Sequence, residues 1–422
     1  MPFIIKKLSR RVTLFAAVLL CTLCFLAFIN RLILLEYDLH VTVSQPSLNN
    51  SDTKNDSKMI QKLIERMNDE QIILNDMKYE TLRNDSIVIV VQVHKRITYL
   101  RHLIQSLSQA DDISKTLIIF SHDYYDDEIN NLVQNIDFCK VMQIFYPYSI
   151  QTHPDTFPGT DPKDCDRDIS KSDAIKIKCK NAHFPDLYGH YREAKYTQMK
   201  HHWWWKLNRI FDELNVTRTL SDMQLLLLEE DYMIAPDFLY ILRQMRKLSK
   251  RKCSFCNILS LGTYIESTNY DSYNKVEISP WLTSKHNMGM SLNRTTWNDI
   301  KSCAKYFCSY DEYNYDWSLQ NVNYNCLTNK LFAMIIKSPR VFHIGECGMH
   351  HNSENCDPSQ ATKRIQFVIE NAMLSKKFYP KTLRVTKMYD EEEAKDSLKP
   401  NGGFADLRDQ VLCLNMTTFN TF

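Results

Sequence analysis

The apolar positions of this chain first gather in one block. From Val12 to Ile29 only Thr13 and Thr22 interrupt an apolar run, close to the roughly 20 residues that span a bilayer as a helix. Lys6, Lys7, Arg10 and Arg11 precede it, and a basic flank stays in the cytosol, which sends the long C-terminal part into the lumen. A cleaved signal peptide is the alternative reading. The run is longer than a usual signal core and lacks a small-x-small cleavage site before Asn30, which favours an anchor. Residues 1–11 then form a cytosolic tail, 12–29 a transmembrane signal anchor, 30–83 a lumenal stem and 84–422 the folded domain. Ser44 to Lys58 is rich in Asn, Asp, Ser and Lys, as solvated linkers are. Met59 to Met77 carries apolar residues at mixed helical spacing, so a short stem helix or self-association segment stands beside the favoured plain linker.

Beyond the stem the pattern changes to short buried runs alternating with helical spacing. Ile87-Val88-Ile89-Val90-Val91 is β-branched throughout and suits a strand buried on both faces. Ile97, Leu100, Leu103, Ile104 and Leu107 then recur at helical spacing, before a second strand at Leu117 to Phe120 and a third near Val141 to Phe145. His190 to Leu214 reads as helix, and Leu225 to Leu228 as a central strand running into acid. A helix from Pro236 through Leu248 and a strand from Asn257 to Leu261 follow. Such alternation predicts a mainly parallel α/β sheet. With 8 glycines, and neither a G-x-G-x-x-G turn nor a Walker loop, phosphate must be held by some other device.

Composition narrows the partners. A net charge of +2 over 422 residues gives no broad basic field, so nucleic acid is not an expected partner. Of 13 cysteines, Cys21 and Cys24 lie in the apolar run, which leaves 11 for an oxidising lumen and at least one unpaired. Asn-x-Ser/Thr triplets at Asn49, Asn55, Asn84, Asn215, Asn293 and Asn415 fit the same compartment.

Five stretches of the sequence could carry chemistry. Glu229-Glu230-Asp231 follows four leucines, which puts carboxylates where a buried strand emerges and where α/β folds build ligand sites. A divalent cation there could bridge protein oxygen to a diphosphate; a solvated acidic turn is the plain alternative. His343, in Arg340-Val341-Phe342-His343-Ile344, is either a core imidazole or a ligand that would draw the site from Mg²⁺ toward Mn²⁺. Asp311 to Trp317 mixes acids with aromatics, the means to pack a sugar face and deprotonate a hydroxyl, or else an aromatic surface loop. In Lys195 to Lys206 the three tryptophans are expected in the core, with Gln198 to His202 turned toward a ligand. Cys253-x-x-Cys256 has zinc spacing, but in an oxidising compartment a disulfide is favoured.

Longer motifs carry a resemblance. Phe120-Ser121-His122-Asp123, Phe157-Pro158-Gly159, Gly189 to Lys195, Lys200 to Leu207, Leu228 to Asp231, Leu259 to Tyr264, His286-Asn287-Met288-Gly289 and Cys347-Gly348-Met349-His350-His351 together resemble the N-acetylglucosaminyltransferase II family, from about Ile87 to Cys413. That resemblance implies a type A glycosyltransferase fold, UDP-GlcNAc as donor, an N-glycan acceptor on glycoproteins, Mn²⁺ as the metal and residence in the Golgi membrane. The activity implied is inverting transfer of GlcNAc to the 2-hydroxyl of the α-1,6-arm mannose, giving a β-1,2 linkage. By motif, Gln92, Val93, His94, Lys95, Arg96, Asp123, Gln198, Met199, Lys200, His201 and His202 would form the donor site. Glu229 and Glu230 would shape it, Asp231 and His343 would hold the metal, and Asp316 would be the base. The family usually has Asn where this chain has Lys95 and Trp where it has Tyr315. The family-like cysteine spacing implies the pairs Cys165–Cys179, Cys253–Cys256, Cys303–Cys326, Cys308–Cys413 and Cys347–Cys356, with Cys139 free.

Two other classes use similar materials. A carbohydrate-binding protein could share the aromatic and acidic surface but has no need of both a nucleotide site and a base. A metal-dependent hydrolase would use acids and histidines to activate water.

Overall fold

The computed structural model describes residues 50–263, 270–345, 358–390 and 399–417. The expected anchor at 12–29 and the expected Cys347–Cys356 pair lie outside them, as does the Cys347 to His351 motif. Among the described residues no helix is long and apolar enough to cross a membrane.

Among the described residues there are twelve strands: β1 (Ile73–Leu74), β2 (Ile87–Val93), β3 (Leu117–His122), β4 (Lys140–Phe145), β5 (Gln224–Glu229), β6 (Tyr232–Ile234), β7 (Ile258–Ser260), β8 (Lys275–Pro280), β9 (Met290–Asn293), β10 (Phe332–Ile336), β11 (Val341–His343) and β12 (Arg384–Met388). Ten of them form one sheet in the order β1-β4-β3-β2-β5-β9-β7-β10-β8-β12, while β6 and β11 pair separately. Strands β4, β3, β2 and β5 are parallel, as their continuous apolar runs require of strands covered on both faces. Side chains alternate between the faces. Val88 and Val90 meet Trp203, Trp204 and Leu207 on one side, whereas Ile87, Ile89 and Val91 meet Leu100, Leu103 and Phe238 on the other.

The expected mixed, mainly parallel sheet is present, and beyond this half β7 with β10 and β8 with β12 are also parallel. Strand β9 runs antiparallel to both β5 and β7, and β10 antiparallel to β8, so the whole is a mixed sheet flanked by helices. The expected helix from His190 starts at Ala194 and ends at Asn208, with a wider π turn over Arg209–Glu213. Residues 190–193 stay outside it because Arg192 is turned inward, where its guanidinium donates to the carbonyls of Pro158 and Gly159 and to Asp409. All three tryptophans of this helix are buried as expected. Their apolar mass, flanked by Phe211, Trp297 and Phe307, fills the layer beneath β2 and β5.

A plain linker does not describe residues 59–77. A helix covers Asn50–Glu70, and residues from Lys54 onward belong to the compact unit that holds the sheet. Ile64 is buried, and Asn68 mimics a strand at the edge of β4, accepting from the N–H of Phe145 at 2.9 Å and donating to its carbonyl at 2.7 Å. Disulfides Cys165–Cys179, Cys253–Cys256, Cys303–Cys326 and Cys308–Cys413 are formed, and Cys139 is free and buried, as the family-like spacing implied. Asn68→Ala would strand both backbone groups of Phe145, so urea unfolding should show a loss of about 1–3 kcal/mol; an unchanged midpoint would mean that the helix does not bear on the fold.

Candidate active site

The C-terminal ends of β2, β3 and β5 lie side by side at one end of the parallel strands. Register pairs Gln92 with Glu229 and Val93 with His122, so the turn after β2, the turn after β3 and the acidic end of β5 emerge side by side. This is the place where parallel strands leave backbone groups and side chains free for a ligand.

The first group surrounds Asp123. His94 Nδ1 lies 2.6 Å from Asp123 Oδ1, Gln198 Nε2 donates to Asp123 Oδ2 at 3.0 Å, and His202 Nδ1 stands 3.8 Å from the same oxygen. Burial opposes charge on Asp123, but His94 and the hydrogen bond from Gln198 hold its carboxyl below the ordinary value. Burial likewise opposes protonation of His94, yet Asp123 raises it. His202, fully buried and bonded to Ser121 Oγ at 2.8 Å, is pushed down to about 3 by burial and stays neutral. Gln198 Oε1 also accepts the N–H of Ile150 at 2.7 Å. Val93 is buried and contributes its carbonyl to the N–H of Asp123. Lys95 is exposed, its ammonium 3.7 Å from the centre of the Tyr124 ring.

The second group is the acidic run, whose three carboxylates separate into three roles. Glu230 accepts the N–H of His94 at 2.9 Å and Arg96 Nε at 2.9 Å, so it closes the turn after β2. Glu229 accepts from Tyr315 Oη at 2.9 Å, and burial followed by the Asp231 charge raises its carboxyl against the pull of Lys206. Lys206, itself pushed down to about 7 by burial, donates to Gln92 Oε1. Asp231 Oδ2 meets His343 Nε2 at 3.0 Å and Arg96 Nη1 at 2.8 Å. Burial opposes the charge of Asp231, but His343 and Arg96 keep it below the ordinary value.

Asp231 and His343, 112 residues apart, meet because β11 pairs with β6 directly after Asp231, with His343 opposite Tyr232. Three observations fit a cation there. Asp231 Oδ1 is buried with no hydrogen-bond partner. A Cβ on Gly345 would lie 2.2 Å from Asp231 Oδ2 and 3.0 Å from His343 Nε2, so only glycine leaves the cradle open. One carboxylate and one imidazole form an oxygen-nitrogen donor pair suited to Mn²⁺. Among the described residues no cluster of three or more His, Cys, Asp or Glu stands ready for a metal.

The third group holds Asp316, in the first turn of the helix Tyr315–Asn325. Its Oδ2 accepts from Thr283 Oγ1 at 2.6 Å and Asn287 Nδ2 at 2.9 Å, and its Oδ1 from the N–H of Trp317 at 2.9 Å. Burial raises the Asp316 carboxyl in spite of these donors. Tyr315 stacks on Trp203 with centroids 4.9 Å apart while its hydroxyl reaches Glu229. The helix of Asp316 is thus tied to the strand that ends in Asp231.

Not every expected donor-site residue joins these groups. Lys200 and His201 are fully buried and turned elsewhere, Lys200 to the opposite side of the helix: Lys200 Nζ donates to the carbonyls of Tyr310 and Glu312, and His201 Nε2 lies 3.0 Å from the carbonyl of Asp409. A helical turn of about 100° per residue separates them from Gln198 and His202. Met199 is half-buried. Thr283, Asn287, Lys206 and Gly345 are the residues to which sequence reasoning gave no role, although Lys206 and Asn287 lie in family-like motifs. Removing the Asp123 charge by Asp123→Asn should lower the His94 pKa, which imidazole proton NMR over pH 5–8 would register; an unmoved titration would separate the two residues.

The family model described as N-acetylglucosaminyltransferase II (MGAT2) matches residues 61–413. Relatives named alpha-1,6-mannosyl-glycoprotein 2-beta-N-acetylglucosaminyltransferase include one from Rattus norvegicus, 40% identical over 87% of this chain and 82% of its own. Another from Sus scrofa is 41% identical over 83% and 78%, and one from Arabidopsis thaliana 32% identical over 81% and 76%. Superposition on solved structures is loose: TarS 1-349 of S. aureus in complex with UDP-GlcNAc gives a TM-score of 0.33 at 10% identity, over 67% of this chain and 65% of that one. A model match over most of the chain, and identity sustained from animals to a plant, place this protein in the N-acetylglucosaminyltransferase II family.

Proposed function

We infer that this chain transfers GlcNAc from UDP-GlcNAc to the 2-hydroxyl of the α-1,6-arm mannose of N-glycans, forming a β-1,2 linkage with inversion, on a type A glycosyltransferase fold. The observation that carries the reading is the tie between two unlike carboxylates. Asp231 is held charged beside His343 and Arg96, while desolvation raises the carboxyl of Asp316, and Tyr315 links their elements through Glu229. Environments that push two acids apart suit one to hold charge and the other to exchange a proton.

Asp231 and His343 are the residues that would hold Mn²⁺, which when bound supplies positive charge against the diphosphate leaving group. Arg96, shared between Glu230 and Asp231, keeps Asp231 in place. Asp123, fixed by His94, Gln198 and His202, offers a charged acceptor at the cleft edge for the nucleotide. Asp316 takes the proton from the mannose 2-hydroxyl. Its Oδ2 is already filled by Thr283 and Asn287, so Oδ1 has the capacity to accept that proton. The mannose oxygen bonds to the anomeric carbon as the bond from that carbon to UDP breaks, and no sugar-enzyme bond forms.

The apolar run at 12–29 behind a basic flank supports a single-pass type II anchor, and four disulfides support an oxidising lumen. A Golgi membrane location follows from that topology and the family's substrates.

Asp316→Asn should slow turnover by about 10²- to 10⁴-fold, the usual worth of a general base, and leave calorimetric UDP binding with Mn²⁺ intact. Asp231→Ala should do the reverse at the binding step. Near-normal turnover in Asp316→Asn removes it as base, and unchanged metal-dependent UDP affinity in Asp231→Ala removes it as ligand.

A further inference from the structure

Directly before Asp316 lies a polar knot that makes no contact with the Asp231 and His343 pair. Glu312 is fully buried. Its Oε1 accepts the backbone N–H of Asn314 at 2.8 Å and the Asn314 side-chain amide at 2.9 Å; its Oε2 accepts the backbone N–H of Asn401 at 2.7 Å and that side-chain amide at 2.9 Å. Asn314 is the residue that starts the helix of Asp316, and it directs its amide to Glu312 rather than to a helix N–H. One carboxylate therefore fastens the start of the Asp316 helix to a segment nearly 90 residues on.

That segment is held from several sides. The N–H of Tyr313 donates to the carbonyl of Gly402, the N–H of Phe404 to Asp311 Oδ1, and the N–H of Gly403 to Asp186 Oδ2. Gly402 has φ +83°, and a Cβ there would lie 2.4 Å from Asp186 Oδ2. Cys308–Cys413 closes the same region covalently. From the other side Lys200 reaches in. Its ammonium donates to the carbonyls of Tyr310 at 3.0 Å and Glu312 at 2.9 Å, and sits 3.8 Å from the centre of the Phe404 ring. Lys200 rides on the helix whose other side carries Gln198 and His202, so the knot spans from the nucleotide side of the cleft to the helix of Asp316.

A carboxylate taking four N–H donors in a dry site is costly to bury unless the donors are fixed. The same cost makes the arrangement stiff: losing one donor pair leaves buried polar atoms unpaired. Packing alone could have closed this loop. A buried charged link placed two and four residues from Asn314 and Asp316 instead sets the start of their helix.

We propose that Glu312, assisted by Lys200 and Asn401, is a positioning residue for the transfer reaction, fastening the Asp316 helix to residues 399–404 so that this C-terminal segment sets where the Asp316 carboxylate stands. The inference rests on Asp316 being the base. Glu312→Gln replaces one carboxylate oxygen by an NH₂ that faces two donors, and so releases one of the two anchors.

The test is a double-mutant cycle in the full-length enzyme, with Glu312→Gln, Asp316→Asn and the double variant assayed for transfer from UDP-GlcNAc to a defined N-glycan. Glu312→Gln should lower kcat by about 10- to 100-fold, the effect of displacing a reacting group by roughly 1 Å, with UDP-GlcNAc affinity unchanged. In the Asp316→Asn background it should cost less than about threefold, because both changes act through one group. A normal kcat in Glu312→Gln, or its full loss repeated in the Asp316→Asn background, overturns the proposal. Should Asp316→Asn alone keep its turnover, the base reading falls instead. Asn401→Ala, at an exposed residue whose backbone N–H still reaches Glu312, serves if Glu312→Gln does not fold: a smaller kcat loss that vanishes in the Asp316→Asn background supports the proposal, and one that persists overturns it.

Discussion

Three consecutive carboxylates at the end of a buried strand repel one another, and each needs its own partner before the strand can end there. Glu229 has Tyr315 and the nearby Lys206, Glu230 has Arg96 and the N–H of His94, and Asp231 has His343 and Arg96. These partners come from the turn after β2, from the Trp-rich helix, from β11 and from the helix of Asp316. Neutralising the run therefore assembles the cleft. Without the parallel run β4-β3-β2-β5 the partners would not reach it, and without the acids those elements would have no common point. Burial of apolar runs builds the sheet, and the charge at the end of β5 decides what gathers there.

How much of this is legible in sequence depends on how local the cause is. Strands β2, β3 and β5 are continuous apolar runs, and they lie where the pattern puts them, because burial on both faces demands such runs. The other half of the sheet is not legible in that way. Its strands β7 and β9 have three and four residues, too short for periodicity to give direction, and β9 reverses direction between two neighbours. The early start read for the Trp-rich helix failed because Arg192 is claimed by Pro158, Gly159 and Asp409, contacts remote in sequence. The helix Asn50–Glu70 is announced only in part, by the mixed helical spacing from Met59, since Asn68 and Gln61 fasten it through backbone groups of Phe145 and Thr152.

The site divides along the same line. The acidic run was visible from its place after four leucines, whereas the pairing of Asp231 with His343 and the part given to Asp316 came from family-like motifs. Motifs do not tell the two sides of a helix apart. Lys200 and His201 stand beside Gln198 and His202 in sequence but spend their polar atoms elsewhere, on the loop at 310–312 and the carbonyl of Asp409. Thr283 and Asn287 carry no signal of their own, 33 and 29 residues from the carboxylate they hold. Tyr315, where the family usually has Trp, keeps both an aromatic face on Trp203 and a donor to Glu229.

The central claim is that the cleft joins GlcNAc to a particular mannose hydroxyl. It is tested most directly by incubating the protein with UDP-GlcNAc, Mn²⁺ and an N-glycan of defined structure, then determining the linkage of the product. One GlcNAc added in β-1,2 linkage to the α-1,6-arm mannose is the predicted result. Free GlcNAc with an unaltered glycan, or addition at another position, would contradict it.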